Sequence, residues 1–539
     1  MAKAIPTTSQ TVSIPKEDVH AVRHVAVIDI GATSIRMAIA EIRANGGTRM
    51  LENLLQPADL GRDAFETRRL SRKGVERVTS VLKKFRRVLS EYGITSAKDI
   101  RVVATSAVRE ASNRVAFMDR VFVATGLDVE PIDEAEVNRI TYMGVAPQLQ
   151  ARRETAERKS VVVEVGGGST ELLIIRGGNV LHSDSFRLGS IRLLQSLTAV
   201  GAAPSHSSGQ THSQWRSLME TQISRILTRI AERIRSDTPL HLVAIGGDVR
   251  FAALQLIPEW NGVDLVSLPT QALSRLTEQV LSLGDDAVVA KFDVTFNEAE
   301  TLGPALLAYT LLAKRFELSH VYVSGVNLRS GLIHDMARGG NWTTEFRHQI
   351  VRSAMSLGRK CDVDETHARA VAELARRLFE QLHDEHHLDA RYEVLLYAAA
   401  LLHEIGLFIS VRSNHKHALH IIRNSELFGL SRHETLLVGL VVRYHRRATP
   451  QPAHTDYGSL SRVDRVAVSK MAALLRIAIA LDDTRSGRIR EIRVHREGKR
   501  MVIAVPGVDD VSLEQMAMRG ASQLFQDVFG AAVLLRPGE

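Results

Sequence analysis

The chain is 539 residues long, which at about 150 residues per domain predicts three or four domains. A 45% hydrophobic and 24% charged composition excludes a disordered or fibrous chain. Lys+Arg 69 against Asp+Glu 61 leaves a net charge of +8, a mild excess that favours a polyanionic partner without choosing among nucleic acid, phosphate polymer and anionic membrane.

In chain order, residues 1–22 contain Pro6 and Pro15 but no apolar core of a signal peptide, and read as a loose tail. Val25 to Ala40 is an apolar run broken by Gly31-Ala32-Thr33-Ser34, which predicts strand, tight turn and strand. Residues 66–91 carry Val75, Val78, Val81, Leu82, Phe85 and Leu89 at helical spacing. Ile100 to Ala104 is a short buried strand with Thr105-Ser106 at its end. Val161 to Ile175 repeats the opening pattern: Asp29 matches Glu164, Gly31 matches Gly166, Ser34 matches Ser169 and Arg36 matches Glu171, all at one offset. An internal repeat with a turn at its centre predicts two related lobes. Residues 201–214 read as an exposed, mobile Gly/Ser/His loop, followed by a helix to about 235. Leu242 to Ile245, followed by Gly246-Gly247-Asp248, and Val321 to Ser324 are further short strands.

Near residue 340 the composition changes, and residues 341–460 hold 12 of the 21 histidines on helical patterns. Asp364 caps a predicted helix bearing Val371, Leu374, Leu378 and Leu382, and Leu395 to Ile405 reads as a buried helix ending at Gly406. The longest apolar run, Leu395 to Ile409, contains His403 and Glu404 and is too short and polar to span a bilayer. A hairpin turning near Gly498, a helix (512–526) and a strand (531–535) complete the chain. Alternating strands and helices predict an α/β architecture: a tail (1–22), lobes at 23–150 and 151–340, a helical domain at 345–485 and a small α/β domain at 488–539. The single cysteine, Cys361, excludes an internal disulfide and fits a reducing cytoplasm.

The repeated turns have a chemical reading. Glycine removes the Cβ that would block an anion, and successive backbone N–H groups then form a nest for phosphate, to which Ser34 or Ser169 adds a hydroxyl. An acid two residues before the first glycine, Asp29 or Glu164, is placed to hold a hydrated Mg²⁺.

These segments resemble the Ppx/GppA family of exopolyphosphatases and guanosine pentaphosphate phosphohydrolases, within the actin-like superfamily. The resemblance rests on DIGATSIRM (29–37), VVATSAVREASN (102–113), VEVGGGSTEL (163–172), FRLGSIRL (186–193), AIGGD (244–248) and SGVNLRSGLIHDM (324–336), and spans about 24–485. The C-terminal half resembles the HD-type domain of longer members through RSNHKHALHIIRNSEL (412–427) and VVRYHRR (441–447).

The resemblance implies two duplicated actin-like (ribonuclease H-like) lobes and Mg²⁺-dependent hydrolysis of a terminal phosphoanhydride of inorganic polyphosphate or guanosine pentaphosphate. It implies phosphate loops at Gly31, Ala32, Thr33, Ser34 and at Gly166, Gly167, Gly168, Ser169, with Thr105, Ser106, Arg109, Gly246 and Gly247 also at the phosphate. Asp29, Glu164 and Glu171 are implied metal ligands, Glu171 also being catalytic. A cytoplasmic homodimer is expected, with neither membrane nor nucleic acid as partner. The family's water-activating glutamate falls on Val137, next to Glu136, which is the remaining candidate base. Asp248 stands where the family usually has threonine, Glu164 where it has aspartate, and Ala32 and Thr33 where it has Ser and Asn. These departures imply, as the alternative reading, a catalytically weakened polyphosphate- or nucleotide-binding regulator. HD-type domains hold a divalent metal with helix-borne residues, and His367, His403, Glu404 and Asp482 sit at comparable points here. The cluster Arg443, His445, Arg446 and Arg447 reads as an anion-binding surface.

Overall fold

The computed structural model describes residues 22–199, 209–234, 239–338 and 342–538. The expected tail up to residue 21 and residues 201–208 of the expected loop lie outside them.

The first sheet contains β1 (Arg23–Ile30), β2 (Ser34–Ile42), β3 (Thr48–Pro57), β4 (Ile100–Ala104) and β5 (Val129–Pro131), in the order β3-β2-β1-β4-β5. The first three form an antiparallel meander, while β4 runs parallel to β1 and β5 to β4. The second sheet contains β6 (Lys159–Val165), β7 (Thr170–Arg176), β8 (Asn179–Phe186), β9 (Leu240–Ile245), β10 (Val266–Pro269) and β11 (His320–Val323), in the order β10-β11-β9-β6-β7-β8. It repeats the meander and its parallel neighbours, and adds β10 as an antiparallel edge. Two actin-like lobes result, as the repeat predicts. Their central strands are covered on both faces, which explains why β1, β6 and β7 read as nearly unbroken apolar runs rather than alternating ones.

Several elements differ from expectation. The helix expected over 66–91 is two helices, Leu60–Thr67 and Arg72–Glu91, separated where Arg68 takes a left-handed φ of 55° and Ser71 caps the second through the N–H of Gly74. The loop expected to reach residue 214 gives way at Gly209 to a helix running to Ile234, because Trp215, Met219, Ile223, Leu227 and Ile230 recur on one buried face. The helix Leu328–Ala337 follows β11 in sequence but packs on the first sheet: Leu328, Leu332 and Ile333 share a core with Val25, Val27, Ala38 and Val103, and with Ile140 of the helix Glu134–Gln150.

The C-terminal part is helical from Thr344 to Leu481. Asp364 caps Glu365–Gln381 as expected, its carboxylate accepting from the N–H groups of Thr366 and His367. The helix expected to run to Ile405 stops at Leu401. His403 Nδ1 donates to the Ala400 carbonyl (2.7 Å), and Gly406 meets the helix Asn414–Arg423 so closely that a Cβ would lie 1.9 Å from the Asn414 carbonyl oxygen. His403 and Glu404 therefore sit in a turn. The final sheet, β12 (Arg493–Glu497), β13 (Arg500–Pro506) and β14 (Ala532–Gly538), carries the helix Ser512–Phe529, and its hairpin turns at Gly498. Met501, Ile503, Leu524 and Phe525 join one core with Leu474 and Ile477 of the helical part and Val162 and Leu173 of the second sheet. Among the described residues, no helix is long and apolar enough to cross a membrane.

Candidate active-site cleft

The repeat found in sequence is also a repeat in register. Asp29 pairs with Arg36 across β1–β2, and Glu164 pairs with Glu171 across β6–β7. Each hairpin turn closes with the same bond, Gly31 N–H to the Ser34 carbonyl (3.0 Å) and Gly166 N–H to the Ser169 carbonyl (2.9 Å). Each acid lies beside a parallel strand, so that Thr105 follows β4 on one side and Gly246 follows β9 on the other. In parallel sheets the carboxyl ends of the strands are where ligands bind.

Both turns line one cleft of about 600 Å³. Asp29, Gly31, Ala32, Thr33, Ser34, Thr105, Ser106 and Arg109 come from the first lobe, and Glu164, Gly166, Gly167, Gly168, Ser169, Glu171, Gly246 and Gly247 from the second. The lobes meet tightly at Gly168, where a Cβ would stand 2.4 Å from the Phe65 ring and 2.6 Å from Ser106 Oγ. Only glycine allows that approach. Gly246 adopts φ +121°, a conformation side-chain-bearing residues rarely take, and opens the helix Gly247–Leu256 toward the cleft.

The acids are held differently. Glu171 Oε1 accepts from Ser169 Oγ (2.8 Å) and Ser185 Oγ (3.0 Å), while Oε2 is buried without a protein partner. Burial pushes its carboxyl up to about 7, against the pull of the two serines. Burial also raises Glu164, offset by Arg250. Asp29 accepts from Arg329 Nη1 at 3.3 Å. Asp248 is raised to about 7 by burial, with Arg36 as the main opposing charge, although it keeps part of its surface open to the cleft.

One expectation is corrected. Glu136 does not enter the cleft. Its Oε1 accepts from Arg101 (2.8 Å) and Arg139 (3.2 Å), on a separate cavity between the first lobe and the helical part. Successive helix residues point about 100° apart, and in the helix Glu134–Gln150 it is Val137 that forms cleft wall. Arg109 lines the cleft, where Nη1 donates to the Ile132 carbonyl (3.0 Å) and Nη2 pairs with Glu134 (2.9 Å), contacts that fix the guanidinium while each terminal nitrogen keeps a second N–H.

Sequence reasoning missed four residues. Arg36 matches Glu171 in the repeat, a match that assigns it no role, and its Nε is buried without a partner. Arg250, two residues after Asp248, buries an unpartnered Nη1, and crowding with Arg36 adds to the burial that lowers it to about 10. Arg329 sits within SGVNLRSGLIHDM, a quoted motif. Tyr309 is fully buried, and its hydroxyl accepts from Val165 N–H (2.7 Å) and donates to the Ile245 carbonyl (2.5 Å), tying the ends of β6 and β9 together. Arg250 and Tyr309 lie in segments without a distinctive sequence signal.

The residues implied by the HD-type resemblance also come together. His367 Nδ1 lies 2.8 Å from Asp482 Oδ2, the His367 and His403 rings are 5.2 Å apart, and one donor atom each from His367, His403 and Glu404 lie within 4.8 Å of one another. His445, expected on an anion-binding surface, is buried, with its ring 5.8 Å from His403.

A model of the Ppx/GppA phosphatase family matches residues 38–339, and a model of Ppx/GppA phosphatase domain III matches residues 351–516. Among solved structures, an exopolyphosphatase from Cytophaga hutchinsonii is 23% identical with a TM-score of 0.52, over 59% of this chain and 98% of that one. The Aquifex aeolicus member of the Ppx/GppA family is 23% identical with a TM-score of 0.48, over 60% of this chain and all of that one. With the first model alone matching more than half of its residues, the chain belongs to the Ppx/GppA phosphatase family.

Proposed function

We propose that the chain is a phosphoanhydride hydrolase that releases the terminal phosphate of inorganic polyphosphate or guanosine pentaphosphate with Mg²⁺. The observation that carries this reading is the pair of identically closed glycine turns facing one cleft beneath Asp29, Glu164 and Glu171. The donor set fits the metal: three carboxylates offer the hard oxygens Mg²⁺ prefers, and Glu171 Oε2 has no protein donor to displace. Mg²⁺, when bound, would neutralise charge on the phosphoryl oxygens.

The backbone N–H groups of the two turns take up the charge of the phosphate chain, and Arg36 and Arg250 add unpartnered donors. Glu171, whose carboxyl is held at about 7, would accept a proton from water in the fraction not bound to metal, as the water oxygen bonds to phosphorus and the anhydride P–O bond breaks with its electron pair leaving on the shortened phosphate chain or nucleotide. Arg329 holds Asp29 in place.

A second reading, a weakened enzyme that binds the same anions as a regulator, is favoured by one observation: Val137 forms the wall where the family glutamate is expected. Phosphate release from each substrate with Mg²⁺, for wild type, Glu171→Ala and Val137→Glu, separates the two. Rapid release lost in Glu171→Ala supports the hydrolase. An inert wild type with a Val137→Glu variant that turns over supports the regulator. No release by any of the three rejects the hydrolase.

A further inference from the structure

The cluster around His367 and His403 carries a cation of its own, an arginine side chain set on its carboxylate. Arg485, in the turn after the helix Arg462–Leu481, takes a left-handed φ of 52° and donates from Nη2 to Glu404 Oε1. Its Nη1 also faces Asp364 Oδ2 at 3.7 Å. The turn is built on Asp482, whose carbonyl accepts from Arg485 N–H (2.9 Å) and whose Oδ1 accepts from Gly487 N–H (2.9 Å). Asp482 Oδ2 meets His367 Nδ1. Both oxygens of Asp482 and one of Glu404 are thus engaged by protein donors, and a full positive charge lies on the carboxylate that a cation would need.

We infer that the Arg485 guanidinium is the resident cation of this cluster and keeps a divalent metal out of it. Tetrahedral metals take four nitrogen, sulfur or oxygen donors, and catalytic sites hold three protein donors with one open position. With Arg485 in place, both oxygens of Asp482 and Oε1 of Glu404 are taken, so a metal would have to draw on two imidazoles and on a Glu404 carboxylate whose charge the guanidinium already neutralises. His403 Nδ1 is committed to the Ala400 carbonyl and His367 Nδ1 to Asp482, which leaves each Nε2 without a hydrogen-bond partner among the described residues. That arrangement, with Nδ1 tied and Nε2 open, is how proteins orient histidines toward a metal. The cluster is therefore a latent metal site occupied by an arginine. Arg485 at the same time joins Asp364 at the start of one helix to Glu404 in the turn after another, so the charge also serves as a staple across three segments of the helical part. The inference is independent of the cleft and of its chemistry.

The test uses the full chain, stripped with a chelator, offered Zn²⁺ or Mn²⁺ alone, passed through gel filtration and analysed for bound metal. Each protein is compared with its own His403→Ala derivative, so that metal on the cleft carboxylates cancels. Wild type should show no difference from His403→Ala. Arg485→Gln should carry a stoichiometric ion that Arg485→Gln with His403→Ala lacks, while Arg485→Lys, which keeps the charge, should stay empty. Stoichiometric metal on wild type that is lost with His403→Ala overturns the inference. So does a folded Arg485→Gln variant that takes up none, or an Arg485→Lys variant that takes up as much as Arg485→Gln. If Arg485→Gln fails to fold, Arg485→Met, which removes the charge and keeps the aliphatic stem, takes its place in every comparison.

Discussion

Glu171 is the direct cross-strand neighbour of Glu164 at the mouth of the β6–β7 hairpin. Two acids placed opposite each other at the cleft, one raised to about 7 and one raised by burial, form an arrangement that a cation or a proton stabilises. Replacing Glu171 with Gln should lower kcat by about 10²-fold or more, the usual worth of a positioned base. In wild type, kcat should rise with pH through about 7 as the carboxyl ionises, and the variant should lose that limb. A pH profile unchanged in shape would remove Glu171 from proton transfer.

Asp248 should make the protein less stable as pH rises. Its folded-state value of about 7 lies above its ordinary 3.8, so between them the folded chain holds a proton that the unfolded chain has lost. Stability is therefore highest below about 4 from this group and falls as pH passes through about 7. Because the carboxyl is partly open to solvent, about 1–2 kcal/mol is the expected change. Urea unfolding at about pH 5 and about pH 8 should show Asp248→Asn flattening that dependence. An identical slope in both proteins would count against it.

Gly168→Ala should separate the lobes. The atoms nearest the added methyl, those of Phe65 and Ser106, both lie across the interface. The cost falls on closure rather than on either lobe, so thermal unfolding should change by about 1 kcal/mol or less and substrate affinity by about tenfold or more. A variant that binds tripolyphosphate as tightly as wild type would show that closure tolerates the methyl.

Tyr309→Phe removes one hydroxyl and leaves two buried backbone groups, Val165 N–H and the Ile245 carbonyl, without their partner. Unsatisfied buried groups cost about 1–3 kcal/mol. Denaturant titration should show that loss together with reduced activity, since Gly166 and Gly246 begin at those strand ends. A fully stable variant would mean that water replaces the hydroxyl.

The duplicated hairpins were legible because they are local: an acid, a glycine turn and a serine at one offset become the same register in two sheets. The HD-type set was also legible as positions. Its contacts were not, because Arg485 reaches Glu404 through a turn with no sequence signature. Glu136 and Val137 show the same limit at shorter range. An alignment names both, and only the phase of the helix Glu134–Gln150 decides which one faces the cleft. Arg250 could not be anticipated, since it reaches the cleft from a helix whose direction is fixed by packing on the second lobe. The helix ending at Leu401 reads as longer in sequence because apolar residues continue past it, while the contact that ends it, between Gly406 and Asn414, is tertiary.

The helix Leu328–Ala337 has a consequence for biosynthesis. One face of the first sheet, formed by Val25, Val27, Ala38 and Val103, is covered in part by side chains encoded roughly two to three hundred codons later, those of Leu328, Leu332 and Ile333. At about 5–20 residues per second, a ribosome leaves that face covered only by Ile132, Val137 and Ile140 for on the order of tens of seconds. The amino-terminal lobe is thus the first to be made and among the last to be completed, and a nascent chain halted before Ala337 displays an apolar sheet that a chaperone can hold.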